Sequence, residues 1–308
     1  MKYINIANTD LHVSNIVMGN MRLTQLTVLE AEKLIRTAMD EGINFFDHAD
    51  IYCKGQCEEI FSEAIQMNPS IREKMILQSK CGIISPEGYF DFSKEHIIES
   101  VDGILKRLRT EYLDILLLHR PDPLMEPAEV AKAFEELHQS GKVKYFGVSN
   151  HNPAQIELLQ KYIPYKLVVN QLQLSIAHTP MIDSGITLNM KVDQAINRDS
   201  SILEYCRLQD ITIQAWSPFQ HGFFSGTFLG DLERFPDLNK VIDRLAEKYE
   251  VTNAAIAVAW ITRHPANIQV ILGTTNPQRM KDACKGSEIP LTRQEWYEIY
   301  KAAGNMVP

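Results

Sequence analysis

The run "YLDILLLH" (Tyr112–His119) interrupts its apolar residues only once, at Asp114. A strand wet on one face alternates polar and apolar side chains, and this one does not, so both of its faces must be covered. Strands of that kind belong to parallel sheets lying under helices. Seven more runs read the same way: "NIVMG" (15–19), "INFFD" (43–47), "MILQSK" (75–80), "VKYFGVSN" (143–150), "YKLVVNQ" (165–171), "ITIQAW" (211–216) and "IQVILG" (268–273). Amphipathic segments separate them, at 28–41, 56–67, 93–109, 127–140, 153–161, 200–208, 239–264 and 277–284. Pro127, Pro153 and Pro277 stand in first turns, and "EG" (41–42) and "SGK" (140–142) mark ends.

This alternation predicts an α/β fold, and so many units in 308 residues favour a closed (β/α)8 TIM barrel over an open doubly wound sheet. No G-x-G-x-x-G follows the first run, which counts against a Rossmann domain. The pattern adds an N-terminal β-hairpin (3–6 and 11–13), long loops after strands six and seven (175–198 and 217–237), and an extra C-terminal helix over "TRQEWYEIYKAAG" (292–304). No linker divides the chain, so residues 1–308 are expected to form one domain.

Composition narrows the function. The formal charge is −8, from 31 basic and 39 acidic residues, and the basic residues are scattered, which disfavours a nucleic-acid partner. With no apolar stretch of membrane-spanning length and no secretory h-region, no membrane partner and a cytoplasmic location are expected. The five cysteines form an odd set; Cys53 and Cys57, spaced C-x3-C, have no second pair to complete a zinc site, so no metal is expected and free thiols are.

Catalytic groups of a parallel barrel gather at the carboxyl ends of its strands. Here the runs end in Asp47, Lys80, His119, Ser149 with Asn150, Gln171, Trp216 with Ser217, and Gly273 with Thr274. Singly, each has a plain structural reading: an acid caps a helix, a lysine is solvated, a histidine sits hydrogen-bonded in a core. Together with Tyr52, the ends of strands two, three and four assemble an acid–base cluster. A phenol titrates too high for proton transfer near neutrality; a lysine ammonium beside it is expected to lower that pKa, and Asp47 to hold the ammonium charged. Such a cluster suits protonation of a carbonyl oxygen while hydride reaches the carbon, and the hydride requires a cofactor. Trp216 offers a stacking surface for a nicotinamide. Ser149, Asn150 and Gln171 could fix its carboxamide, and "GTTNPQR" (273–279) a phosphate, with Arg279 paired to it or stacked on a purine.

The chain resembles the aldo-keto reductase superfamily over almost its whole length, through "FFDHADIY", "LQSKCG", "YLDILLLHRPD", "GKVKYFGVSN", "VVNQLQLS", "AWSPF" and "GTTNPQR", and most nearly its bacterial oxidoreductase branch. The resemblance implies a barrel that binds NADP(H) in an extended pose and reduces aldehydes or ketones, with Asp47, Tyr52, Lys80 and His119 as the tetrad and Tyr52 as general acid. It implies cofactor contacts at Gly19, Asn20, Met21, Asp47, Ser149, Asn150, Gln171 and Trp216, at Ser217, Phe219 and Gly222 for the pyrophosphate, and at Gly273, Thr274, Thr275 and Arg279 for the adenosine 2′-phosphate. Many relatives carry lysine in place of Gly273 and asparagine in place of Ala283, so one phosphate and one adenine contact are missing; this weakens the preference for NADP over NAD without reversing it. The expected partner is a small-molecule carbonyl substrate, and the expected state a monomer or weak homo-oligomer. Met21, Tyr89 and Phe90 are expected at the pocket wall. The alternative is a nicotinamide-binding sensor or regulatory subunit with little turnover, as in the potassium-channel beta subunits of the superfamily.

Overall fold

The computed structural model describes residues 1–308. In chain order its strands are the hairpin pair β1 (Tyr3–Asn5) and β2 (His12–Ser14), then β3 (Ile16–Gly19), β4 (Phe45–Asp47) and β5 (Ile76–Cys81). A short antiparallel ribbon follows, β6 (Ile83–Ile84) and β7 (Tyr89–Phe90), and after it come β8 (Leu113–Leu118), β9 (Val143–Ser149), β10 (Leu167–Gln173), β11 (Thr212–Trp216) and β12 (Gln269–Leu272). The eight apolar runs become β3, β4, β5 and β8 to β12. These close into a barrel in the order β10-β11-β12-β3-β4-β5-β8-β9, every pairing parallel.

The two-residue pleat of each strand sorts its side chains between two cores. Ile16, Met18, Phe46, Leu116, Leu118, Val270 and Leu272 point outward into the large cluster shared with the helices. Val17, Phe45, Ile115, Leu117, Val169 and Ile271 pack inside the barrel, where Ile4, Ile6, Leu11 and Val13 of the hairpin join them. The hairpin is therefore a plug over the amino ends of the strands. At ~1.5–3 kcal/mol for each large apolar side chain fully buried, these four residues suffice to hold it there.

The expected helices sit where the periodicity places them, with one exception, and a single turn at Pro69–Arg72 adds to them. The segment 239–264, read as one helix, is two: Pro236–Tyr249 and Asn253–Thr262. Glu250 adopts a left-handed conformation (φ 54) and its N–H returns to the carbonyls of Ala246 and Glu247, ending the first; Thr252 then accepts from the Ala255 N–H to start the second. The loop after β10 is not wholly irregular either, since it holds a helix at Pro180–Ile186. The added C-terminal helix, Arg293–Ala302, docks by stacking Trp296 on Trp260, ring centroids 4.8 Å apart, and each indole N–H donates to the other residue's carbonyl. No helix is long and apolar enough to cross a membrane.

Candidate active site

The inward register continues upward from the apolar plug into polar residues. Two positions beyond Phe45 comes Asp47; beyond Ile76 come Gln78 and Lys80; beyond Leu117 comes His119; beyond Val169 comes Gln171; and Thr212, Gln214 and Trp216 share the inner face of β11. Asp47 and Lys80 are buried and paired: the ammonium donates to both carboxylate oxygens at 2.8 and 2.7 Å, to the His48 carbonyl at 2.7 Å, and to the Tyr52 hydroxyl at 3.3 Å. A buried ion pair is tolerable only when its remaining hydrogen-bonding capacity is filled. Gln78 and Gln171 fill it, donating to the Asp47 carboxylate at 2.6 and 3.0 Å.

Tyr52 arrives on the tight turn after β4, where Cys53 and Lys54 have positive φ before Gly55 (φ 84) opens the helix Gln56–Ala64. Its ring stands edge-on to His119, centroids 6.1 Å apart. The four residues expected to form the tetrad are thus brought together. Their electrostatics differ from expectation in one respect. Burial raises the Tyr52 pKa above the ordinary phenol value, and the opposing Lys80 charge does not overcome it. Burial would lower Lys80, but Asp47 and Tyr52 outweigh it and hold the ammonium above its usual range. Burial first, then Lys80 and Arg120, keep His119 well below the imidazole range, so it is neutral. Tyr52 therefore keeps its proton at rest.

Next to this cluster the rim is locked. Asn150, at φ 59, donates to Ser149 Oγ at 2.7 Å and accepts from the Trp216 indole N–H at 3.2 Å, while Ser149 donates to the Gln171 carbonyl at 3.0 Å. The indole face is thereby fixed. Gln171 faces inward: its amide nitrogen serves Asp47 and Gln214, leaving only its oxygen toward a carboxamide. Ser217 (φ 53), Phe219 and Gly222 lead the loop after β11, and Thr274 accepts from the Asn276 N–H ahead of the helix Pro277–Cys284. Arg279 is exposed there and has no ion-pair partner.

The residues expected to hold the dinucleotide lie along one arc of this rim. Gly19 lies so close to the neighbouring strand that a Cβ would stand 2.8 Å from Ile271 Cγ2, keeping the floor flat. Buried polar atoms without a protein partner recur along the arc and at the pocket: Asn20 Oδ1, Gln220 Oε1, His221 Nε2 and His119 Nδ1. Met21 is half-buried beside Asn20, whereas Tyr89 and Phe90 lie exposed on the β6–β7 ribbon. Arg22 donates to the Gly273 carbonyl at 2.9 Å and so places a cation beside the end of β12. The five cysteines are unbridged and, Cys53 apart, buried.

Three glutamines that support the site stand inside the strand runs rather than at their carboxyl ends. Gln78, Gln214 and Gln269 form a buried chain: Gln78 and Gln171 both donate to Gln214 (2.8 and 3.1 Å), Gln214 donates to Gln269 at 2.9 Å, and Gln269 to the Ser14 carbonyl at 2.8 Å. Spacing signals two of them, since Gln78 and Gln214 stand two residues before Lys80 and Trp216 and so share their face.

A model of the aldo/keto reductase family matches residues 15–303. The Escherichia coli oxidoreductase YdhF is 37% identical over 97% of each chain, and a 6-dehydroglucose reductase of Agrobacterium fabrum is 33% identical over 95% of each. Among solved structures, a Bombyx mori aldo-keto reductase in complex with NADP superposes with a TM-score of 0.73 at 20% identity, covering 98% of this chain and 92% of the other.

Proposed function

The chain belongs to the aldo/keto reductase family, and on that premise we propose that it is an NADP(H)-dependent oxidoreductase that reduces an aldehyde or ketone to the alcohol. The observation that carries the reading is the Lys80 ammonium, buried and held between Asp47 and the Tyr52 hydroxyl beside a neutral His119. NADPH, when bound, supplies the hydride. Asn150 holds Trp216 as its stacking face, and Asn20, Met21, Gly19 and the loop from Ser217 through Phe219 to Gly222 line its path. Thr274, Thr275, Arg279 and Arg22 offer hydroxyls and cations at the adenosine end, which supports NADP over NAD.

The chain's own residues manage the proton. Tyr52, kept as phenol by burial, donates to the substrate oxygen; as negative charge moves onto its oxygen, Lys80 stabilises it at 3.3 Å. Asp47 keeps Lys80 in place, and neutral His119 contributes a hydrogen bond without competing charge. A lysine so tightly paired is a poor imine-forming nucleophile, which leaves a Schiff-base mechanism without support.

The test is NADPH consumption against a panel of aldehydes and ketones, including polyhydroxylated aldehydes in view of the relatives named 6-dehydroglucose reductase. Tyr52→Phe is expected to lower kcat by about 10²–10⁴-fold while NADPH still binds. Undiminished turnover of every substrate by Tyr52→Phe would remove Tyr52 as the acid. Tight NADPH binding with no single-turnover oxidation by any carbonyl would favour the sensor alternative.

A further inference from the structure

At the end of β8, directly after His119, stands Arg120, and nothing in the chain answers its charge. It is half-buried, it makes no side-chain hydrogen bond or ion pair, and burial alone acts on it, pulling it below the usual arginine range. The nearest acid in sequence is committed elsewhere: Asp122 accepts from the Leu124 N–H at 2.8 Å and the Phe92 N–H at 3.3 Å. Asp47 is matched by Lys80. The guanidinium instead reaches across the mouth, past the ends of β9 and β10, to lie 5.8 Å from the ring centres of both Trp216 and Phe223. Contacts at that distance are at the outer edge of cation–π attraction, ~6 Å, and leave its planar fork of donors free.

A guanidinium with unfilled donors in a partly desolvated pocket is a receptor for an oxyanion, because a charge-assisted, bidentate pair both fills the donors and offsets the lost hydration. Its place is at the tetrad end of the mouth: His119 precedes it and Trp216 and the exposed Phe223 face it, while the adenosine-end candidates Gly273 to Thr275 and Arg279 follow β12. We propose that Arg120 binds an oxyanionic group, carboxylate or phosphate, on the carbonyl substrate, so that the enzyme prefers anionic carbonyl compounds over neutral ones of the same shape. The proposal rests on the reductase reading and assigns its substrate class.

Matched pairs test it. The full chain with NADPH is assayed on 4-carboxybenzaldehyde against methyl 4-formylbenzoate, and on glycolaldehyde phosphate against glycolaldehyde, for the wild type, Arg120→Lys and Arg120→Met. The wild type should favour the anionic member of at least one pair by about 10- to 100-fold in kcat/KM. The pair that responds separates carboxylate from phosphate. Arg120→Met should abolish the preference through KM, leave the neutral member within about threefold, and leave NADPH affinity unchanged; Arg120→Lys should restore part of it. Raising ionic strength should shrink the wild-type preference.

Equal turnover of charged and neutral members by the wild type overturns the proposal, as does Arg120→Met losing both members alike, which would make the residue a prop for Trp216. Loss of NADPH affinity in Arg120→Met also overturns it, by making Arg120 a cofactor contact. If no carbonyl is reduced at all, calorimetric titration of NADP-loaded protein with benzoate and benzamide decides separately. Benzoate binding that Arg120→Met loses upholds the anion site and sinks only the reductase reading, whereas no difference between the two ligands sinks the anion site too.

Discussion

Asp47, Lys80 and His119, three of the four candidate catalytic residues, are legible in the sequence because each closes an apolar run, and a polar group at the end of a strand that is otherwise water-free stands out; Tyr52 lies five residues beyond Asp47, on the turn after its strand. What the sequence does not display is burial. The expectation that Lys80 lowers the Tyr52 pKa treats the pair as if in water, whereas desolvation of the phenol dominates and the shift is upward. Asp50 illustrates the same force in a form open to measurement. Burial, and after it the Glu58 carboxylate, raise its pKa to about 7. Between the ordinary carboxyl value and about 7, the folded protein therefore holds a proton that the unfolded chain releases, and stability falls as pH rises through that window. Asp50→Asn, neutral throughout, should gain on the wild type from pH ~4 to pH ~8, by about 2 °C or more in melting temperature. A pH-independent difference in thermal unfolding would show that the carboxyl does not titrate there.

At the scale of elements, strand positions are legible to within two residues and helix ends less so. The eight runs reappear as the eight barrel strands because period-2 sorting leaves no alternative register that buries both faces. The stretch "KYEVTNAAI" (248–256) has no glycine or proline to announce a break, and its apolar periodicity carries across. The chain breaks there by forcing Glu250 into the left-handed region that glycine occupies at less cost. Glu250→Gly should accordingly stabilise the protein, by up to ~1 kcal/mol seen in chemical denaturation, with no change in kinetics. Destabilisation by this exposed substitution would mean that the Glu250 side chain makes a contribution larger than its backbone strain.

Across the whole molecule the barrel has two unlike ends. One is sealed by the hairpin, whose residues Ile6 and Val13 are wholly buried in the inner cluster; the other carries the candidate site. Ile6→Ala should destabilise by ~2–5 kcal/mol and yet leave KM for NADPH unchanged below the new melting temperature, since Ile6 lies at the amino ends of the strands, opposite the rim. Altered cofactor affinity in that variant would reveal coupling along the barrel axis. The connection that does run along the axis is the glutamine chain from Asp47 through Gln78 and Gln171 to Gln214, Gln269 and the Ser14 carbonyl. A primary amide has fixed donors and fixed acceptors and does not exchange one for the other as water or imidazole does. The barrel interior beneath the site is thus an insulator for protons: the amide chain aims the Asp47 carboxylate but does not relay, so on the proposed mechanism each proton given up by Tyr52 has to be replaced from the open mouth.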